Sequence, residues 1–165
     1  MTRVSLPAVA VALMLCACSN NSSTPTPAAA PPPPPPPTSA VTITFDANPV
    51  AFSSTGCSFS TPQGWSTQAR VQETAGVTFT VATLTQKLDG NTVSVLAESF
   101  NSRFGACGTA AFTPGVISAS GAVCGIVGVC TASAYGTYQF SLAGTDANGH
   151  ALTFDSPVLR LGARP

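Results

Sequence analysis

From Val41 onward, apolar and polar residues alternate with a period of two, and no stretch sustains a 3.6-residue apolar repeat. Successive side chains on an extended strand point to opposite faces, so this pattern builds half-buried strands and argues against a helical bundle. "VTITF" sets Val41, Ile43 and Phe45 on one face and Thr42 and Thr44 on the other. "GWSTQARVQE" aligns Trp65, Thr67, Ala69 and Val71, and "VTFTVATL" aligns Val77, Phe79 and Val81. "NTVSVLA" offers Val93 and Val95, "TYQFSLAG" offers Tyr138, Phe140 and Leu142, and "ALTF" and "VLRL" close the chain. Turn chemistry separates the runs at "ETAG", "LDGN", "TPG" and "DANG". About seven short strands with such spacing predict an all-β, antiparallel sandwich with one wet face on each sheet. Trp65 is expected in the core between the sheets, where its ring buries most area.

Only 7% of the residues are charged and the formal net charge is zero, so the chain has no electrostatic footprint for nucleic acid. Composition divides it into residues 1–17, apolar with one cation, residues 18–40, crowded with Pro, Ser, Thr and Ala, and residues 41–165, the alternating domain.

Arg3 followed by "LPAVAVALMLCA" reads as an export signal, too short an apolar run for a spanning helix of about 20 residues. The residues "LCAC", Leu15 to Cys18, resemble the lipobox of bacterial lipoproteins, with Leu15 at −3 and Ala17 at −1 of Cys18. Cys16 fits worse, because Leu15 would then occupy the small −1 site. The resemblance implies cleavage before Cys18, acylation of that residue and anchorage to a membrane of the cell envelope. Ser19, rather than an Asp, implies the outer membrane if the cell is Gram-negative. Acyl chains hold firmly because each buried methylene contributes about 0.8 kcal/mol.

Seven consecutive prolines, Pro31 to Pro37, lack N–H donors and favour polyproline II. At about 3.1 Å per residue they make a stiff rod of roughly 20 Å. Between an anchor and a domain, such a rod is expected to act as a spacer rather than as a ligand for a proline-recognition module.

"YGTYQFSLAGTDANGHALTFDSPVLRL" resembles the closing hairpin of bacterial immunoglobulin-like and PKD-like domains, with Gly136, Tyr138, Phe140, Leu142, Asp146 and Gly149 in the corresponding places. The resemblance implies an immunoglobulin-like sandwich and says little about function, because that fold hosts many unrelated roles.

Besides Cys18, four cysteines remain after cleavage: Cys57, Cys107, Cys124 and Cys130. In an exported domain they imply two disulfides, with three possible connectivities. Closure of the small "GIVGV" loop by Cys124–Cys130 is the favoured expectation, leaving Cys57–Cys107. A sandwich that puts Cys57 and Cys107 at opposite poles would instead pair Cys57 with Cys124 or Cys130. A zinc site is disfavoured, since no C-x-x-C knuckle is present.

His150 is the single histidine, four residues after Asp146, and no G-x-S-x-G elbow accompanies the pair. Asp146 and Asn148 fall short of the six to eight oxygens a calcium loop supplies, so a hairpin turn is expected. No cofactor or metal is expected. The turns at Glu73, Phe100 to Cys107 and Asp146 are expected to cluster at one pole. Glu73, Phe100, Arg103, Phe104, Asp146 and His150 are therefore the candidate binding-loop residues. For Phe100 and Phe104, packing beneath their own loop is the favoured reading. The functional expectation is a non-catalytic lipoprotein that displays its sandwich for protein contact, adhesion or envelope structure. A carbohydrate or small-ligand module needs exposed aromatics. An unfamiliar enzyme or inhibitor would need Glu73, Asp146 and His150 around a deep pocket.

Overall fold

A computed structural model describes residues 31–55, 63–95, 98–109, 111–131 and 133–165. The export signal, Cys18, the first part of the tether and Cys57 lie outside the described residues. Residues 31–34 are exposed and irregular, and residues 35–165 form one compact unit.

The described residues form an all-β sandwich of two antiparallel sheets. One sheet has the order β1 (Val41–Phe45), β2 (Gly64–Glu73), β7 (Ala122–Cys130), β5 (Phe104–Ala106). The other runs β10 (Leu159–Arg160), β8 (Thr137–Asp146), β3 (Phe79–Leu88), β4 (Asn91–Val95). Two short strands join this second sheet, β6 (Val116–Ile117) on β3 and β9 (Ala151–Asp155) on β8. One short helix, α1 (Glu98–Arg103), links β4 to β5. No helix among the described residues is long and apolar enough to cross a membrane.

More strands appear than the sequence suggests because β5, β6 and β7 fall outside the expected runs, while the closing strand is split as the separate "ALTF" and "VLRL" runs suggest. β9 and β10 both pair with β8, and the interruption lies at Ser156 and Pro157. Pro157 cannot donate to a ladder. Ser156 compensates: its Oγ accepts the Phe140 N–H at 3.0 Å, and its own N–H donates to the Phe140 carbonyl at 2.8 Å.

The alternation sorts side chains as expected. Along β2, Trp65, Thr67, Ala69, Val71 and Glu73 are buried, while Ser66, Gln68 and Arg70 face solvent. Along β3 the phase changes once. Val81 pairs with Gly144 and Thr83 with Ala143, so Ala82 is an extra residue, a β-bulge. Phe79 and Val81 point inward before it, and Leu84, Gln86 and Leu88 after it. Gly144 faces this bulge, where a Cβ would stand 1.9 Å from the Thr80 carbonyl oxygen.

Both sheets feed one core. Phe140 of β8 meets Phe45 at a ring distance of 6.1 Å and Phe104 at 5.9 Å, which joins the two layers. Trp65 is buried in this core, edge-on to Phe52 at 5.1 Å, and its Nε1–H donates to the Gly162 carbonyl at 2.8 Å.

Cys107 and Cys124 form a disulfide with a Cα separation of 4.9 Å. This corrects the expected Cys124–Cys130 bridge, and with it Cys57–Cys107. "GIVGV" is not a loop but the middle of β7. Six extended residues span about 20 Å, far beyond the reach of a disulfide. Cys107 instead follows β5, whose Gly105 lies opposite Cys124. Cys130 is also disulfide-bonded, to a partner outside the described residues. The sequence separation between Cys107 and Cys124 is 17, so replacing both by Ser is expected to cost about 3 kcal/mol of stability, read as a lower urea midpoint at unchanged m.

Candidate functional site

Glu73 ends β2 and Asp146 ends β8, each as the last inward-facing residue of its strand. The strands belong to opposite sheets, so the two carboxylates converge at one pole of the core. What lies between them is the chain's own entry segment, residues 37–40. The Ser39 N–H donates to Asp146 Oδ2 at 3.2 Å, and the Ser39 hydroxyl donates to Glu73 Oε1 at 3.4 Å. Next to it, the Ala40 N–H donates to Glu73 Oε1 at 3.3 Å, and the Ala40 carbonyl accepts from the Thr74 N–H at 2.8 Å. One step back, the Asn148 side-chain amide donates to the Pro37 carbonyl at 2.7 Å.

The same carboxylates order the surrounding turns. Glu73 accepts the N–H groups of Ala75, Gly76 and Ser120, each at 2.8 Å. Gly76 has φ +75°, a left-handed turn position that glycine adopts without cost. Asp146 Oδ1 accepts the N–H groups of Asn148 and His150, both at 2.9 Å, and Oδ2 lies 2.9 Å from His150 Nδ1. The Gly149 N–H closes this hairpin onto the Asp146 carbonyl at 3.0 Å, with Gly149 at φ +86°. This is the turn with a left-handed glycine that "DANG" suggests.

Burial alone would raise both carboxyl pKa values. The backbone N–H groups of Ser120, Ala75, Ala40 and Val77 outweigh it and hold Glu73 at about 2, down from 4.5. At Asp146, burial is outweighed by the His150 N–H and ring and by the N–H groups of Ser39 and Asn148, which also bring it to about 2. A carboxyl lowered on folding binds its proton more readily in the unfolded chain. Its contribution to stability is therefore complete above the ordinary carboxylate range and disappears as the pH falls towards 2.

Glu73, Asp146 and His150 are thus brought together as expected, but around a filled centre. The cluster resembles two members of a Ser-His-Asp triad only in part, because the Ser39 hydroxyl points to Glu73 rather than to His150. Among the described residues, no group of three or more His, Cys, Asp or Glu could hold a metal ion. Surface hollows of about 410, 320 and 310 Å³ lie elsewhere, and none of the three is lined by Glu73, Asp146 or His150.

Phe100, Arg103 and Phe104 are placed differently from the expected pole loop. They belong to α1 and β5, on the edge of the four-stranded sheet. Phe100 and Phe104 are buried and stacked with ring centres 4.9 Å apart, the packing reading of these side chains. The reason lies across the ladder: Phe104 pairs with Gly125, where a Cβ would stand 2.1 Å from the Arg103 carbonyl. Arg103 is half-buried and lines the 310 Å³ hollow with Trp65, Ser66 and Ile126. Among the described aromatic residues, Phe45, Phe52, Phe112, Tyr135 and Phe154 are half-buried and the others are buried.

Sequence reasoning missed Ser39 and Ser120 as partners in the cluster, and it placed Asn148 in the Asp146 turn without its bond to Pro37. Their only sequence signal is the presence of small polar residues beside turns, which is too common to be specific.

No protein-family model matches this chain, and no curated protein matches it.

Proposed function

We propose that the chain is an exported, lipid-anchored protein that displays a non-catalytic immunoglobulin-like sandwich on a proline-rich stalk for protein contact, adhesion or envelope structure. The observation that carries this reading is the fastening of residues 37–40 into the sandwich by Glu73, Thr74, Asp146 and Asn148. A flexible linker would leave the domain free to tumble, whereas this one enters the fold at a defined place.

The immunoglobulin-like assignment is supported by strand order. β1-β2-β7-β5 against β10-β8-β3-β4 corresponds to A-B-E-D against G-F-C-C′ of that fold, with β9 and β10 as the two halves of strand G. The segment after β1 also crosses to the second sheet, where Val50 pairs in parallel with Leu161.

The anchor is tested by mass spectrometry of the mature N-terminus together with fractionation of Cys18→Ala. Acylated Cys18 in the wild type is expected, and the variant should lose most of its membrane association, since the acyl chains supply the affinity. A Cys18→Ala protein that stays in the membrane fraction would sink the reading.

A further inference from the structure

We propose that the outer face of the β1-β2-β7-β5 sheet is a docking surface for a second copy of this chain, paired about a two-fold axis that runs parallel to the strands. It rests on the protein-contact reading, whose partner it names, and needs neither the anchor nor the stalk.

Ile126 is 67% exposed, the most exposed of the large hydrophobic side chains among the described residues. It stands on β7 beside polar neighbours: Ser66 and Gln68 of β2 are exposed, and Gln68 is its partner across the ladder. A hollow opens on each side of it. One, of about 320 Å³, lies over Ser66, Thr67 and Gln68, and the other, of about 310 Å³, lies towards Arg103 and Gly128. A Cβ at Gly128 would stand 2.0 Å from the Trp65 carbonyl oxygen, so no side chain can fill the second hollow from there. A knob beside holes on one face is what a self-complementary, two-fold contact requires.

The charges choose the partner. Asp46 continues β1 on the face of Thr42 and Thr44, with its N–H on the Gln68 carbonyl at 3.0 Å. At the other edge, Arg103 precedes Phe104, which pairs with Gly125. A row thus crosses the sheet from Asp46 through Gln68 and Ile126 to Arg103, negative at one end and positive at the other. Neither Asp46 nor Arg103 makes an ion pair among the described residues. Rotation about an axis along the strands, midway between β2 and β7, sets the Asp46 of each copy over the Arg103 of the other. It also sets each Ile126 over the other copy's Gln68, where the 320 Å³ hollow lies. A two-fold across the strands would instead oppose Asp46 to Asp46 and Arg103 to Arg103, and like charges across an interface repel. Arg70, the exposed charge within the strands, pairs with Cys124 in the ladder and so comes to lie over the other copy's Cys124, away from Arg103. A purely acidic or purely basic partner would satisfy one end of the row and oppose the other.

Strands about 4.8 Å apart that rise about 3.4 Å per residue give this face about 500 Å² per copy, and the pair about 1,000 Å² in all, at the lower end of specific interfaces. The dimer is therefore weak and reversible. Sheets stacked about 10 Å apart leave room for the Asp46–Arg103 pairs.

Sedimentation velocity tests this on the mature chain without acyl groups, from about 5 to about 500 µM at low ionic strength, the range suited to an interface of this size. Wild type is expected to pass from monomer to dimer across that range. Ile126→Arg should weaken association at least about tenfold and leave the thermal midpoint unchanged, because the position is exposed. Asp46→Lys and Arg103→Glu should each weaken it by about as much, because each then places like charges together. An equimolar mixture of those two variants should regain a dimer of wild-type strength: one contact joins Asp46 to Arg103, and the other joins the two introduced charges, which are opposite. A wild type that is monomeric throughout would overturn the proposal, as would a dimer indifferent to Ile126→Arg or a mixture no tighter than its components. If Arg103→Glu does not fold, Ile126→Arg and Asp46→Lys, both at exposed positions, decide. A monomeric wild type leaves protein contact with other partners standing, and failure of the Cys18 anchor leaves this result standing.

Discussion

Glu73→Ala is expected to lower the stability of the sandwich by about 4 kcal/mol, because five hydrogen bonds, most of them part-buried, converge on this single charged acceptor. The donors are the Ala40, Ala75, Gly76 and Ser120 N–H groups and the Ser39 hydroxyl. They belong to the stalk entry, the β2–β3 turn and the turn before β7, so the loss loosens the whole pole. For a domain of this size the thermal midpoint should fall by about 15 °C. Glu73→Gln separates charge from shape. Wild-type stability should decline as the pH drops from the ordinary carboxylate range towards 2, since both Glu73 and Asp146 are held at about 2 in the fold. Glu73→Gln should be less stable than wild type at neutral pH and lose less on acidification, with the remaining slope belonging to Asp146 and to Asp89, whose carboxyl the Thr137 and Gly136 N–H groups also hold below its ordinary range. Thermal melts of both proteins between pH 7 and pH 2 measure this. Parallel curves across that range would show that the Glu73 charge does not hold the pole.

Trp65→Ala is the second large effect, at about 4 kcal/mol, the usual cost of emptying a buried aromatic site. The ring fills the end of the core remote from Glu73, and its Nε1–H fixes Gly162 and thereby the chain's last segment. Trp65→Phe keeps much of the apolar contact and loses the hydrogen bond, so about 1.5 kcal/mol is expected, mainly from the unsatisfied Gly162 carbonyl. Urea titrations followed by far-ultraviolet circular dichroism read both variants. A Trp65→Phe cost equal to that of Trp65→Ala would place the energy in the hydrogen bond rather than in the packing.

Much of the fold was legible because a half-buried strand writes its two faces directly into the sequence. β2 follows the alternation from Trp65 to Glu73, β8 follows it except where Ser141 is buried between Phe140 and Leu142, and the turns at Gly76, Gly90, Gly115 and Gly149 carry the positive φ angles that their glycines suggest. The bulge at Ala82 was signalled only by a change of phase that a period-two reading passes over. The disulfide expectation failed at "GIVGV" because two glycines look like a loop. Here Gly125 and Gly128 are instead places where neighbouring backbones come too close for a Cβ. Phe100 and Phe104 look like contact residues on a loop, but the missing side chain at Gly125 makes room for Phe104 to turn inward.

The candidate site divides along the same line. The sequence by itself determined that Glu73 and Asp146 sit beside turns, that Trp65 belongs inside, and that a stiff proline run precedes the strands. These are consequences of local covalent geometry and of side-chain period. That the two acids share one pole was already an expectation from strand order; only the tertiary structure decided that Ser39 fills the space between them and bonds to both. A buried carboxylate needs donors from several directions, and here they come from separate segments of the chain. No local pattern specifies their meeting, which depends on how the two sheets pack.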